Sequence, residues 1–140
     1  MGYLIDTCIW INVERGTLVP ADIMSVTGNE HVFLSPVTIA ELKYGAEIAT
    51  DPGIRQKRLA ALHRLRRKPL LRIDDMTGDI FGGLAAQIRA SGKTVRSRVQ
   101  DLWLASQAVQ HGFRLLTHNE DDFKGIPGLD LVVWNKAIGL

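Results

Sequence analysis

The sequence predicts an α/β domain of three layers, in which helices cover both faces of a mainly parallel β-sheet. Short apolar runs alternate with longer helical patterns along all 140 residues, as they do in chains built from β-α-β units. The runs are apolar without interruption, which is typical of strands buried on both faces. A content of 46% hydrophobic and 23% charged residues is ordinary for a globular protein that buries a core.

Composition excludes several classes of protein. No repeat, low-complexity tract or linker interrupts the pattern, so we expect residues 1–140 to form a single domain. No apolar run approaches the length of a membrane span, and Asp6 interrupts the first apolar run too early for a signal peptide. Cys8 is the only cysteine, which excludes an intrachain disulfide and a cysteine-based zinc cluster. We therefore expect a cytoplasmic protein without a membrane partner.

The first element is a buried strand that runs through Tyr3 and Ile5 and has Asp6 as its last residue. In open α/β sheets, binding and catalysis occur beyond the carboxyl ends of the strands, so Asp6 would lie at the active edge. Asp is also a favoured N-cap residue, and Asp6 could cap a helix over residues 9–13. The local sequence leaves both interpretations open.

The next elements are defined by glycine and proline. Gly16 ends the first helix, and a weaker second helix ends at Gly28, where we expect a left-handed backbone. A short strand over residues 32–34 follows. Ser35-Pro36 and Asp51-Pro52 each place a good N-cap before a proline, which predicts helices from residue 36 to about 49 and from residue 52 to the break at Lys68-Pro69.

The second half of the chain continues the alternation. We expect a strand over residues 70–73, a helix that begins at Thr77 and ends at Gly92, and a helix that follows residues 96–98 and ends at Gly112. A strand over 113–117, a polar turn or short helix at 121–123, and a last strand over 131–134 complete the domain.

Four acids lie where a strand or an apolar helix face becomes polar: Asp6, Glu41, Asp101 and Asp122, with Asp121 as a close substitute for the last. Each has a simpler explanation. Glu41 could close a capping box, Asp101 could favour the positive end of its helix dipole, and adjacent acids are usually a solvated turn.

Taken together, the acids predict a metal site. A parallel sheet would bring Asp6 and Asp122 to one edge, from which the helices beginning at Ser35 and near Ser97 also start. Clustered carboxylates repel unless a cation neutralises them, and oxygen ligands favour Mg²⁺ or Mn²⁺. The four histidines lack ligand spacing, although His118 beside Thr117 could belong to the site. Such a site favours hydrolytic phosphoryl transfer.

Basic residues suggest a polymeric, phosphate-bearing substrate. Arg96 and Arg98 precede Asp101 and are placed to contact a phosphate near the metal. A stretch without acids between Asp51 and Asp74 could follow a nucleic acid or could simply be a solvated helix face. Its basic residues are Arg55, Lys57, Arg58, Arg64, Arg66, Arg67, Lys68 and Arg72.

Four stretches in this order resemble the PIN-domain family, and specifically its bacterial VapC/FitB-type toxin ribonucleases. They are Leu4-Ile5-Asp6-Thr7, residues 37–46 around Glu41, Asp101-Leu102-Trp103-Leu104-Ala105, and residues 116–123 from Leu116 to Phe123. The resemblance spans essentially the whole chain. The residues before Asp101, Val99-Gln100, depart from many members of the family.

The resemblance implies a three-layer PIN fold, an endoribonuclease dependent on Mg²⁺ or Mn²⁺, dimerisation, and inhibition by an antitoxin segment in the acidic groove. Asp6, Glu41 and Asp101 would be the core metal ligands and catalytic residues, with Asp122 completing the set directly or through water. Asp122 is chosen over Asp121 because it directly precedes Phe123. The resemblance assigns supporting roles to three polar residues, Thr7, Thr117 and Asn119.

Other families fit less well. A haloacid-dehalogenase phosphatase needs a second Asp where this chain has Cys8. A receiver domain needs a phospho-acceptor Asp at the end of a middle strand, and the sequence offers no convincing residue for that role. The remaining alternative is a PIN-like module that binds RNA or a protein without cutting. The complete set of acids argues against it.

Overall fold

The computed structural model describes residues 1–135 and has a four-stranded sheet at its centre. The strands are β1 (Gly2–Ile5), β2 (His31–Phe33), β3 (Arg114–Thr117) and β4 (Asp130–Val133), in the spatial order β2-β1-β3-β4. All three pairings are parallel, with Leu4 opposite Phe33 on one side and Leu115 on the other. The predicted parallel sheet is confirmed, and its central strands β1 and β3 end side by side.

In the described part of the chain, seven α-helices connect and cover the strands: α1 (Thr7–Arg15), α2 (Pro20–Thr27), α3 (Pro36–Glu47), α4 (Pro52–Leu65), α5 (Asp75–Ala90), α6 (Val99–His111) and α7 (Glu120–Phe123). A single 3₁₀ turn, Arg96–Arg98, leads into α6. Within residues 1–135, no helix combines the length and the apolar character that crossing a membrane requires.

Alternating residues of β1 pack on opposite faces of the sheet. Tyr3 and Ile5 belong to one hydrophobic cluster with Ile9 and Trp10 of α1, whereas Leu4 belongs to another with Leu104 of α6. Burial on both faces explains the uninterrupted apolar run in β1, because neither face meets water. The three-layer α/β/α architecture is therefore confirmed.

Local signals mark most helix ends correctly. Ser35 Oγ accepts a hydrogen bond from the backbone of Val37, and Asp51 caps α4 in the same way through Ile54. Gly16 ends α1 with a φ of 83°, a conformation that glycine adopts without strain. Gly28 also has a positive φ of 60°, but its ψ of −131° differs from the left-handed conformation expected there.

The predicted strand over residues 70–73 is wrong. Only Leu70 forms an isolated bridge, to Leu34, and the segment then leaves the sheet. Leu70 and Ile73 are 45% and 39% exposed, so only Leu71 of the three apolar residues contributes to the core. Apolar composition favoured a strand, but the segment pairs with the sheet only at Leu34, one residue beyond the end of β2.

Smaller differences concern element ends. Asp6 lies one residue beyond β1, at the N-cap position of α1. The helix expected to begin at Thr77 begins at Asp75, because Asp74 is its N-cap and Thr77 closes the capping box. Helix α3 ends at Glu47, two residues before the predicted end.

Candidate active site

Asp6 lies at the junction of β1 and α1. Its backbone N–H donates to the carbonyl of Leu116 at 2.9 Å, which continues the ladder between β1 and β3. Its side chain makes no capping hydrogen bond. Instead, Asp6 Oδ2 accepts from Thr117 Oγ1 at 2.9 Å and from Cys8 Sγ at 3.2 Å. The carboxylate is therefore held by Thr117 at the sheet edge and by the Cys8 side chain of α1, and it does not cap the backbone of the helix.

Burial dominates the chemistry of Asp6, which is only 5% exposed. Desolvation raises the pKa of Asp6, the hydrogen bonds from Thr117 and Cys8 lower it, and the charge of Asp122 raises it further. Desolvation and the neighbouring Asp6 charge raise the pKa of Cys8 to about 12. Cys8 is therefore a neutral thiol that donates to the carboxylate.

Glu41 reaches the same region from α3. Its Oε1 accepts a hydrogen bond of 3.0 Å from Thr7 Oγ1, and Thr7 directly follows Asp6. The Thr7 hydroxyl also lies 3.0 Å from Thr38 Oγ1. Desolvation raises the pKa of Glu41, the Thr7 hydrogen bond lowers it, and the Asp6 charge raises it. Glu41 thus has two connections to the start of α1, one by hydrogen bond and one by charge.

Asp101 interacts electrostatically with all three other predicted acids. It lies in the first turn of α6, where desolvation and then the charges of Asp6, Asp122 and Glu41 raise its pKa to about 7. The positive charge of Arg98 opposes these effects and lowers the pKa of Asp101. The structure therefore brings the four predicted acids into one electrostatic cluster. Their assignment as catalytic and metal-binding residues stays a prediction.

A buried glutamine fixes the relative positions of two elements that carry these acids. Gln107 of α6 is fully buried, and its Oε1 accepts from Ser35 Oγ at the start of α3. Its Nε2 donates to the carbonyl of Leu71 at 2.8 Å. Because buried polar groups are costly unless paired, this network specifies how α6 meets α3.

The two adjacent acids near the end of the chain have different environments. Asp121 is exposed and forms an ion pair of 2.8 Å with Lys124. Asp122 is partly buried, and its charge raises the pKa of both Asp6 and Asp101. The geometry therefore favours Asp122 as the fourth acid.

Two neighbouring residues, His118 and Asn119, have less direct links to the acids. Asn119 is exposed, and its backbone N–H donates to Thr117 Oγ1 at 2.9 Å. His118 Nδ1 lies 2.6 Å from the carbonyl of Trp134, beyond the end of β4. The ring of His118 therefore anchors the strand end, and its contact is with the backbone and not with a carboxylate.

The basic residues predicted to contact phosphate differ in burial and in the groups they interact with. Arg98 is partly buried and interacts electrostatically with Asp101 and Asp121, whereas Arg96 is exposed. In the basic stretch, Arg55 pairs with Glu47 at 2.7 Å and Arg58 Nη1 donates to the carbonyl of Gly45. Those two guanidinium groups hold α4 against α3, which favours a structural role for that part of the stretch.

The donor set fits a hard divalent cation. The cluster offers carboxylate and hydroxyl oxygens, the ligands that Mg²⁺ and Mn²⁺ prefer. In residues 1–135, no Lys or Arg forms an ion pair with any of the four carboxylates. As they stand, however, no three His, Cys, Asp or Glu side chains of this part of the chain have an arrangement that could hold a metal ion. The expected metal site therefore stays a prediction.

A separate apolar groove borders Glu41. It has a volume of about 470 Å³ and is bounded by residues of α1, α2, α3 and α4. Trp10 contributes to its wall, and the buried indole Nε1 of Trp10 has no hydrogen-bond partner among residues 1–135. Lys68 lies 5.5 Å from the centre of the Trp10 ring. The groove thus combines an apolar surface with the cation of Lys68, and it borders Glu41, one of the four acids.

Sequence reasoning did not identify Thr38, Trp10 or Gln107 as part of this region. A signal existed for Thr38, which precedes Glu41 by three residues and therefore shares its helix face. The roles of Trp10 and Gln107 depend on contacts between distant segments, and no local pattern indicated them.

Comparison with known proteins yields one family. The model of the PIN domain matches residues 3–129. Ribonuclease VapC5 of Mycobacterium tuberculosis is 30% identical over 125 residues, covering 89% of this chain and 87% of that protein. Ribonuclease VapC1 of Rickettsia felis is 32% identical over 133 residues, covering 94% of this chain and 96% of that protein.

Solved structures agree with this result. The chain superposes on VapBC-5 from Mycobacterium tuberculosis, a member of the VapBC family of toxin-antitoxin systems, with a TM-score of 0.75 and 27% identity over 95% of this chain and 98% of that one. It superposes on VapBC2 from Rickettsia felis, bound to a DNA fragment from the promoter, with a TM-score of 0.82 and 24% identity over 96% and 100% of the two chains.

Proposed function

The chain belongs to the PIN domain family, and from this premise we propose that it is an endoribonuclease and the toxin of a toxin-antitoxin pair. Two relatives are named ribonucleases, and the similar structures include toxin-antitoxin complexes. The observation that carries the proposal is the state of Asp101, whose pKa is raised to about 7 by burial and by three neighbouring acids. A bound cation would neutralise this accumulated negative charge.

Asp6, Glu41, Asp101 and Asp122 would hold Mg²⁺ or Mn²⁺. When bound, such an ion activates water and neutralises the charge of a phosphodiester that undergoes in-line displacement. Asp6 is kept in position by Thr117 and Cys8, and Glu41 by Thr7. These hydrogen bonds orient the carboxylates before a substrate arrives.

Arg98 would contact the substrate. It already interacts with Asp101 and Asp121 through its charge, so it lies within electrostatic range of the proposed reaction centre. A guanidinium group binds phosphate oxygens in a fixed geometry, which suits it to orient the RNA backbone. Arg96, at the start of the same 3₁₀ turn, is exposed and would contact a neighbouring phosphate.

The resemblance places an antitoxin segment in the acidic groove, and we propose that the apolar part of that segment lies in the adjoining apolar groove, which Glu41 also lines. A segment seated there would bury apolar side chains against the groove and end beside Glu41. Four cations, Arg15, Arg58, Arg64 and Lys68, border the groove against two acids, Glu14 and Glu41. This balance favours a segment with acidic flanks.

A non-catalytic PIN-like module is the alternative, and direct cleavage separates the two. The purified chain is incubated with end-labelled single-stranded RNA of mixed sequence, with Mn²⁺ or with EDTA. We expect cleavage with Mn²⁺, none with EDTA, and none from Asp6→Asn, whose circular dichroism should match the parent. RNA binding without cleavage by the parent, or full cleavage by Asp6→Asn, contradicts the proposal.

Sequencing of RNA ends after expression identifies the substrate, and light scattering tests the expected homodimer.

A further inference from the structure

Two threonine hydroxyls form a buried chain behind Glu41. Thr38 Oγ1 lies 3.0 Å from Thr7 Oγ1, which in turn lies 3.0 Å from Glu41 Oε1. Thr38 is 0% exposed and Thr7 is 2% exposed. The chain connects the first turn of α3 with the first residue of α1, immediately after Asp6.

The direction of these hydrogen bonds follows from counting protons. A hydroxyl has one proton to donate, and an ionised carboxylate only accepts. Thr7 therefore uses its proton on Glu41, so the bond between the hydroxyls must use the proton of Thr38. The resulting order is Thr38 to Thr7 to Glu41. With Thr38 as donor, the Thr7 hydroxyl is held by a partner on each side.

Two other buried hydroxyls, those of Thr27 and Ser106, have a different kind of partner. Thr27 Oγ1 donates to the carbonyl of Ile23 and Ser106 Oγ donates to the carbonyl of Leu102, each four residues earlier in its own helix. This is the usual partner for a hydroxyl within a helix. Within residues 1–135, the Thr38 hydroxyl makes no such bond and is directed across the helix interface to Thr7.

We propose that Thr38 is a positioning residue of the acid cluster, which holds the Thr7 hydroxyl towards Glu41 and thereby keeps the Glu41 carboxylate aimed at Asp6 and Asp101. The inference deepens the proposed function, because it assigns a residue that prepares the carboxylates to bind a divalent cation. Groups that orient metal ligands from behind typically change metal affinity about 10- to 100-fold when they are removed.

The test measures Mn²⁺ affinity in the absence of RNA, by titration calorimetry on the full chain. Thr38→Val keeps the volume and removes the hydroxyl, and it should weaken Mn²⁺ binding about tenfold or more, whereas Thr38→Ser should stay within about twofold of the parent. Cleavage by Thr38→Val should lose kcat at saturating RNA with little change in KM. A merely structural role would leave the Mn²⁺ affinity unchanged.

A matched control separates positioning from general destabilisation. Thr77 is also a fully buried threonine, but it hydrogen-bonds Asp74 and Gln110 at the other end of α6. Thr77→Val should lower the melting temperature and leave Mn²⁺ affinity at the parental value. A double-mutant cycle tests whether Thr38 acts through Thr7. If it does, Thr38→Val should have no further effect on Mn²⁺ affinity in a Thr7→Val background.

The outcomes distinguish two kinds of failure. If the parent binds Mn²⁺ and cleaves RNA but Thr38→Val binds Mn²⁺ equally well, the positioning role is wrong and the proposed function stands. The same conclusion follows if Thr38→Ser is as weak as Thr38→Val, or if the two valine substitutions are additive in the cycle. If the parent neither binds Mn²⁺ nor cleaves RNA, both proposals fail together. Should Thr38→Val not fold, Thr38→Ala is the second variant without the hydroxyl, and its Mn²⁺ affinity is judged against that of Thr38→Ser by the same criteria.

Discussion

Thr117 Oγ1 donates a hydrogen bond of 2.9 Å to Asp6 Oδ2, and this bond joins the ends of two adjacent parallel strands. The same hydroxyl accepts from the backbone N–H of Asn119 at 2.9 Å. Thr117 therefore links the acid after β1 to the start of α7, which carries Asp122. The edge of the sheet acts as one unit in positioning these carboxylates.

Thr117→Val should impair the site without changing the fold. Loss of a buried hydrogen bond to an ionised group costs about 2 kcal/mol of unfolding free energy, and the pKa of Asp6 should rise further because one of the bonds that lower it is lost. We expect cleavage to fall about tenfold or more, measured as kcat/KM on a defined RNA. Thr117→Ser is the matched control and should retain activity. Parental activity in Thr117→Val would contradict this role.

The stability of the metal-free protein should fall as pH rises towards neutrality. Asp101 has an ordinary pKa of 3.8 when unfolded and about 7 when folded, so the folded state binds more protons between these values. Stability contributed by protonated Asp101 is therefore complete below about pH 4 and is lost as pH rises to about 7.

Melting temperatures of the parent and Asp101→Asn in EDTA measure this effect. Because other carboxylates also titrate, the difference between the two proteins is the informative quantity. We expect the melting temperature of Asp101→Asn to rise relative to that of the parent as the pH increases from about 4 to about 7. Added Mn²⁺ should stabilise the parent at neutral pH through mass action and should stabilise the variant less. Parallel curves in EDTA would show that Asp101 does not titrate in this range.

Asp122 and Asp121 offer a test with a built-in control. Asp122→Asn should reduce cleavage about 100-fold or more, because it removes one of the charges that act on Asp6 and Asp101. Asp121→Asn only removes an exposed ion pair with Lys124 and should leave cleavage within about twofold. The two variants are compared by their steady-state cleavage rates on one RNA substrate. The reverse order of effects would identify Asp121 as the fourth acid.

The groove can be blocked without touching the acids. Ala61 lies in α4 against the groove, and Ala61→Arg should fill that space with a long charged side chain. The proposed antitoxin should then bind weakly, as measured by calorimetry, and RNA cleavage should persist in its presence. Ala60→Arg makes the same change at an exposed position one residue earlier and should leave inhibition intact. Full inhibition of Ala61→Arg would place the antitoxin elsewhere.

Sequence patterns predicted most of the elements, because the signals are local. The helix starts at Ser35-Pro36 and Asp51-Pro52 are confirmed, since a capping side chain and a proline act within one turn. The apolar run of residues 70–73 misled the prediction because strand formation also requires a partner. Its contact with the sheet stops at the Leu34–Leu70 bridge.

The acids were predicted as a group from their positions after strands and at helix starts, but their individual properties were not. A pKa of about 7 for Asp101 depends on burial and on charges from three separate elements, none adjacent in sequence. The same is true of Thr38, whose partner Thr7 lies 31 residues earlier.

By itself, the sequence determined the alternation of strands and helices, the parallel sheet and the identity of the acids that collect at its edge. These features depend on hydrophobic periodicity, on caps and on the direction of parallel strands. Only the tertiary structure decided that residues 70–73 leave the sheet, that Thr38 stands behind Thr7 and Glu41, and that an apolar groove opens beside the acids. Burial, hydrogen-bond direction and electrostatic coupling are sums over neighbours in space, and a linear pattern does not contain those neighbours.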